Sequence, residues 1–133
     1  MTAGIVPTGL PRCFSKPAGR VIIFCRMRER LRLDPKAVGA LWRYDFAADM
    51  RASHRHSELE FNLILRGRAC YLFGERRIDL SAGTLIWMFP AQEHLLVEES
   101  RDFAMWIAVF KPGMVRKACT SDLTAILRKN DPH

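Results

Sequence analysis

Two of the 4 histidines in this chain, His54 and His56, stand two residues apart. Two carboxylates, Glu58 and Glu60, follow them, and a third histidine, His94, closes the later run Phe89-Pro90-Ala91-Gln92-Glu93-His94. Imidazole nitrogen suits zinc, iron, copper and nickel, and an added carboxylate broadens that range. On an extended strand alternate side chains share a face, so His54 and His56 project together as two adjacent ligands would. In a straight strand Glu58 and Glu60 would both share that face, and a bend near Ser57 would decide between them. His94 opens a different strand, which a barrel can bring beside the first. A His-x-His pair, a nearby glutamate and a distant histidine suggest a ligand set for one metal ion. An exposed polar strand end is the plainer reading of His54-x-His56 taken alone. The fourth histidine, His133, is terminal. No Ser-His-Asp set, phosphate-binding loop or paired-cysteine motif competes with this arrangement.

The elements that must position these groups are short strands. Val38 to Phe46 alternates, with Ala40, Trp42, Tyr44 and Phe46 on one face, and reads as a half-buried strand with its aromatics inward. Glu60–Arg66 is a strand closed by Gly67. Residues 68–73 and 76–80 flank Gly74-Glu75 and read as a hairpin. Ser81-Ala82-Gly83 is a turn, and the continuously apolar Thr84–Phe89 suits a strand covered on both sides. His94–Val97 and Phe103–Phe110 complete the set, separated by a charged loop over 98–102. About seven strands at this spacing predict a sandwich or small barrel. In the tail, Ser121 as N-cap with Leu123, Ile126 and Leu127 predicts a short amphipathic helix. The organisation expected is therefore a basic, poorly ordered arm over 1–36, a barrel over 37–113 and a helical tail over 114–133.

The net charge of +7 is unevenly spread. Residues 1–36 hold 8 Lys and Arg against 2 acids, and residues 37–133 hold 13 against 12. The basic excess belongs to the arm, which can touch phosphate non-specifically or be a solvated tail. Met27 would serve as an alternative start. The cysteines at 13, 25, 70 and 119 form no Cys-x-x-Cys pair and read as reduced, small apolar residues in a cytoplasmic protein. No apolar run approaches a membrane span. Trp42, Trp87 and Trp106 lie on strand patterns and read as core. Trp42, Tyr44, Trp87 and Trp106 are also candidates to line a ligand pocket at the barrel mouth.

His54-x-His56, three residues, Glu60, six residues, Gly67 resembles the first sequence motif of the cupin family. Gly83, an apolar strand, Pro90 and His94 resemble the second. This resemblance implies an all-β fold, a small antiparallel double-stranded β-helix or jelly-roll barrel, here with a short C-terminal helix. It also implies a three-His one-Glu metal site, and it is what selects Glu60 over Glu58. The chain departs from the motifs at Ala48 and Gln92, where glycines are common, and lacks the Asn that often follows the second motif's His. Those departures bear on enzymatic use and leave the fold untouched. Segments 59–67, 71–77, 80–87, 89–94 and 105–112 more closely resemble the N-terminal domain of AraC-type transcription regulators. That likeness implies a domain that binds a small effector and forms a homodimer through its tail, linked to transcription regulation. The helix-turn-helix pair of such regulators has no counterpart here, so no sequence-specific DNA binding by this chain is expected. A truncated regulator and a stand-alone modulator both fit. The alternative is a stand-alone cupin metalloenzyme of dioxygenase or isomerase type.

Overall fold

The computed structural model describes residues 27–47 and 52–130. Cys13, Cys25, Ala48 and His133 lie outside them. The described residues form nine strands: β1 (Met27–Arg28), β2 (Gly39–Asp45), β3 (His54–Arg55), β4 (Leu59–Arg66), β5 (Arg68–Phe73), β6 (Arg76–Ser81), β7 (Leu85–Met88), β8 (His94–Glu99) and β9 (Ala104–Phe110). They build two sheets, ordered β1-β3-β8-β5-β6 and β2-β9-β4-β7. Every pairing is antiparallel except β1 with β3. The architecture is all-β, two facing sheets of short strands, with two short helical pieces at its C-terminal end.

The alternation read from the sequence explains which residues meet. Directly paired residues point to the same side of an antiparallel sheet. The rows Trp42–Ile107–Asn62–Ile86 and Tyr44–Met105–Ile64 therefore face inward. The other sheet contributes Ala69, Tyr71, Leu80 and Leu96, and Phe103 and Met88 are fully buried between the layers. Asn62, fully buried, is a polar member of this core. The Asn62 amide donates to the Tyr71 hydroxyl at 3.0 Å. Gly67, at φ +74°, turns β4 into β5. A Cβ there would lie 2.8 Å from the Phe103 Cα, so the position requires glycine for both its backbone angle and its space.

Several expectations are corrected. Thr84–Phe89 is not a doubly covered strand: β7 is the edge of its sheet, and Leu85 is 47% exposed. β8 runs on through Glu98 and Glu99, paired with Cys70 and Ala69, where a loop was expected. Within the expected arm, residues 27–36 make defined contacts. β1 hydrogen-bonds along β3, and the Lys111 ammonium donates to the carbonyls of Asp34 at 2.5 Å and Pro35 at 3.2 Å. The Lys111-Pro112-Gly113 strand stop also starts an α-helix, α1 (Pro112–Ala118), with proline in its first turn. The expected tail helix is a 3-10 helix over Asp122–Arg128, and its Ser121 makes no side-chain cap. Its apolar stripe is split. Leu127 packs with Val115, Leu59 and Phe89, whereas Leu123 is 93% exposed. Among the described residues no helix is long and apolar enough to cross a membrane.

Candidate metal centre

Three strands and a bend assemble the histidines. His54 lies on β3 directly opposite His94 at the start of β8. After β3 the chain bends at Ser57–Glu58 before entering β4. That bend turns Glu58 back, so its carbonyl accepts from His56 Nδ1 at 3.1 Å. It leaves Glu60 facing inward, with Oε2 2.9 Å from His56 Nε2. Both carboxylates stay beside the His56 ring, Glu60 at Nε2 and Glu58 with Oε2 3.6 Å from Nδ1. A second anchor is the Ala91 N–H, which donates to the His56 carbonyl at 2.8 Å. Ala91 adopts φ +66° to do so, a conformation that costs a non-glycine residue of order 1 kcal/mol.

The donor atoms of His54, His56 and His94 all lie within 4.8 Å of one another. Each ring is oriented by the same device. Nδ1 of His54 faces the Ala52 carbonyl at 3.2 Å, Nδ1 of His56 the Glu58 carbonyl, and Nδ1 of His94 the Gln92 carbonyl at 3.0 Å. A carbonyl can only accept, so each Nδ1 carries its proton and each Nε2 is the nitrogen left for a metal. The His94 Nε2 is buried and has no hydrogen-bond partner, which is the mark expected of an unliganded metal donor. The residues present therefore fit a divalent ion. Glu60 flanks the cluster on the His56 side.

The electrostatics separate the rings. Burial drives the His94 pKa down to about 4, opposed by the nearby Glu60 charge, so the ring is neutral and ligand-ready at pH 7. Burial also disfavours a charged His56, yet the Glu60 hydrogen bond, together with the charges of Glu60 and Glu58, outweighs it and raises the pKa. In the metal-free state His56 is thereby biased to hold a proton toward Glu60, which a metal ion would replace.

The centre opens into a cavity of about 360 Å³. Trp42 and Tyr44 line it, as do Glu60, His54 and His94, with Leu96, Met105 and Ile107 among its apolar walls. The other two aromatics expected there lie elsewhere. Trp106 sits on the outer face of the second sheet, in register with Arg43 and Leu63. Trp87 packs against Phe61 and lines a separate depression of about 500 Å³ with Phe73, Arg76 and Ile78. Strand alternation explains the split, since Trp42 and Trp106 fall on opposite faces of paired strands. Sequence reasoning missed Glu29 and Leu31, which also line the cavity. They belong to the charged stretch before the barrel, and no local pattern marks them.

No curated protein matches the chain. Solved structures similar to it include a cupin 2 conserved barrel domain protein from Salinispora arenicola, at 22% identity and TM-score 0.48, covering 67% of this chain and 78% of that one. A cupin protein from Bacteroides fragilis is 19% identical, with TM-score 0.44 and coverage of 56% and 65%. A predicted oxalate decarboxylase from Thermotoga maritima is 16% identical, with TM-score 0.45 and coverage of 55% and 64%. The AraC-like ligand binding domain matches residues 40–122, which span β2 through α1 and therefore all three histidines, Glu60 and most of the cavity wall. With more than half of its length so matched, the chain belongs to the family of AraC-like ligand binding domains.

Proposed function

We propose that this protein is an effector-sensing domain that takes a small molecule into the Trp42–Tyr44 cavity beside a divalent metal ion. The observation that carries the reading is the convergence of three histidine rings, each with Nδ1 on a backbone carbonyl and one with a buried, unpartnered Nε2, beside a mostly apolar cavity. His54, His56, His94 and Glu60 would hold the ion, with Fe, Mn, Ni and Zn all compatible with that donor set. A bound ion would supply a Lewis-acidic position for an oxygen or nitrogen donor of the effector. The chain's own residues do the rest. Trp42 and Tyr44 give aromatic walls, and Leu96, Met105 and Ile107 exclude water from an apolar body. In keeping with its family, the domain would act in transcription regulation as a cytoplasmic homodimer, with the exposed Leu123 and Ile126 of the tail as contact residues and no sequence-specific reading of DNA. A small-molecule screen by thermal shift on metal-loaded protein tests the sensing role. Hits on wild type that vanish in Trp42→Ala support it, and hits unaffected by Trp42→Ala contradict it. Light scattering that gives a strict monomer would contradict the dimer.

The same three-histidine centre, open to a cavity, also favours a second reading, a cupin metalloenzyme of dioxygenase or isomerase type. Consumption of a bound ligand by the metal-loaded protein, abolished by His54→Ala, would support that reading over sensing.

A further inference from the structure

Glu60 does not complete the centre alone. It approaches from the His56 side and, like Glu29, lies outside the group of mutually close donors formed by the three rings. At His54, the Glu29 carboxylate lies 3.3 Å from Nε2, the ring nitrogen left over when Nδ1 faces the Ala52 carbonyl. Glu29 is not placed there by a flexible side chain alone. Its backbone N–H donates to the Arg55 carbonyl at 2.9 Å, directly after the parallel pairing of β1 with β3. The segment is then held at its far end by Lys111 on the carbonyls of Asp34 and Pro35. Between these two anchors Glu29 and Leu31 form part of the cavity wall. Charge gives a reason for a second carboxylate. Three neutral imidazoles and Glu60 leave a divalent ion with one uncompensated positive charge in a largely buried site, and unpaired buried charge is costly.

We infer that Glu29 is a further metal-binding residue, brought to the ion beside His54 by the backbone that follows β1. This rests on the proposed metal site and adds a ligand to it from the segment that precedes the barrel. Binding is then linked to folding of that segment, because the ion binds tightly only when β1 is docked. Arg28, Arg30 and Arg32 lie on this segment, so its docking is readable by trypsin.

The test uses the full chain, stripped with chelator, and Co²⁺ as the probe. Wild type, Glu29→Gln and a turn control, Glu75→Gln, are titrated by absorbance and calorimetry. The inference predicts that Glu29→Gln weakens Co²⁺ binding by at least about 10-fold, changes the Co²⁺ d–d spectrum, and abolishes Co²⁺ protection of the bonds after Arg28, Arg30 and Arg32. Glu75→Gln should match wild type in all three. Glu29→Gln with wild-type affinity and spectrum overturns the inference while leaving the three-histidine centre standing. Weaker binding with an unchanged spectrum overturns it too, because Glu29 would then act through His54 without touching the ion. Wild type that takes up no Co²⁺ overturns the metal site itself, and this inference with it.

Discussion

His94 makes the most informative perturbation, because its ring is buried, neutral and oriented without a partner on Nε2. In the unfolded chain it titrates near its ordinary value of 6.5, whereas in the folded protein burial holds it to about 4. Between these values the unfolded state binds a proton that the folded state refuses. The stability is therefore fully present above pH 6.5 and is lost as pH falls toward 4. At about 1.4 kcal/mol per tenfold, the whole gap is worth about 3 kcal/mol, and about 2 kcal/mol of it is lost by pH 5. His56 acts in the other sense. Its raised pKa contributes stability that is complete below 6.5 and lost as pH rises through the folded value. Comparison with His94→Leu, which keeps His56 and Glu60, isolates the His94 contribution. The assay is urea unfolding with chelator present, at pH 7.5 and pH 5. Wild type should lose about 2 kcal/mol more than His94→Leu between the two. Equal losses, or a larger loss in the variant, would refute the assignment of His94 as the buried neutral ring.

Other outcomes follow from the same geometry. Gly67→Ala combines φ +74° with a Cβ clash against the Phe103 backbone, and should cost at least about 2 kcal/mol in chemical denaturation. Phe103→Ala empties the middle of the core, where the ring is fully buried, and should cost about 3–5 kcal/mol, read as a fall in Tm. Trp42 lines the cavity and Trp106 lies on the outer face, so a paramagnetic ion such as Cu²⁺ should quench fluorescence in Trp106→Phe far more than in Trp42→Phe.

The sequence made the barrel legible because its strands are paired by strict alternation. Trp42 and Tyr44 could be placed inward from Val38–Phe46 alone, and Gly74 and Gly83 marked their turns. What alternation does not carry is which strands end up as edges. Thr84–Phe89 was apolar enough for a covered strand, yet the sheet ends at β7. Composition misled in the segment before the barrel. Arg28, Glu29, Arg30 and Arg32 look solvated, but β1 is held by backbone hydrogen bonds to β3, which depend on no side-chain pattern. The site was legible in its ligand types and spacing. The Nδ1 carbonyl partners that orient each ring were not, because Ala52, Glu58 and Gln92 contribute only backbone atoms. In the tail, the Leu123–Ile126–Leu127 spacing suits an α-helix, but only Leu127 packs against the Leu59–Phe89–Val115 cluster, and Leu123 is almost fully exposed.

The central claim is that His54, His56 and His94 form one metal centre. Calorimetric titration of chelator-stripped protein with Zn²⁺ at pH 7.5, on wild type and His94→Ala, tests it most directly. A metal centre of this kind binds about one equivalent in wild type, with protons released, and binds at least about 100-fold more weakly in the variant. Wild type that binds no Zn²⁺, or a variant that binds it equally well, would contradict it.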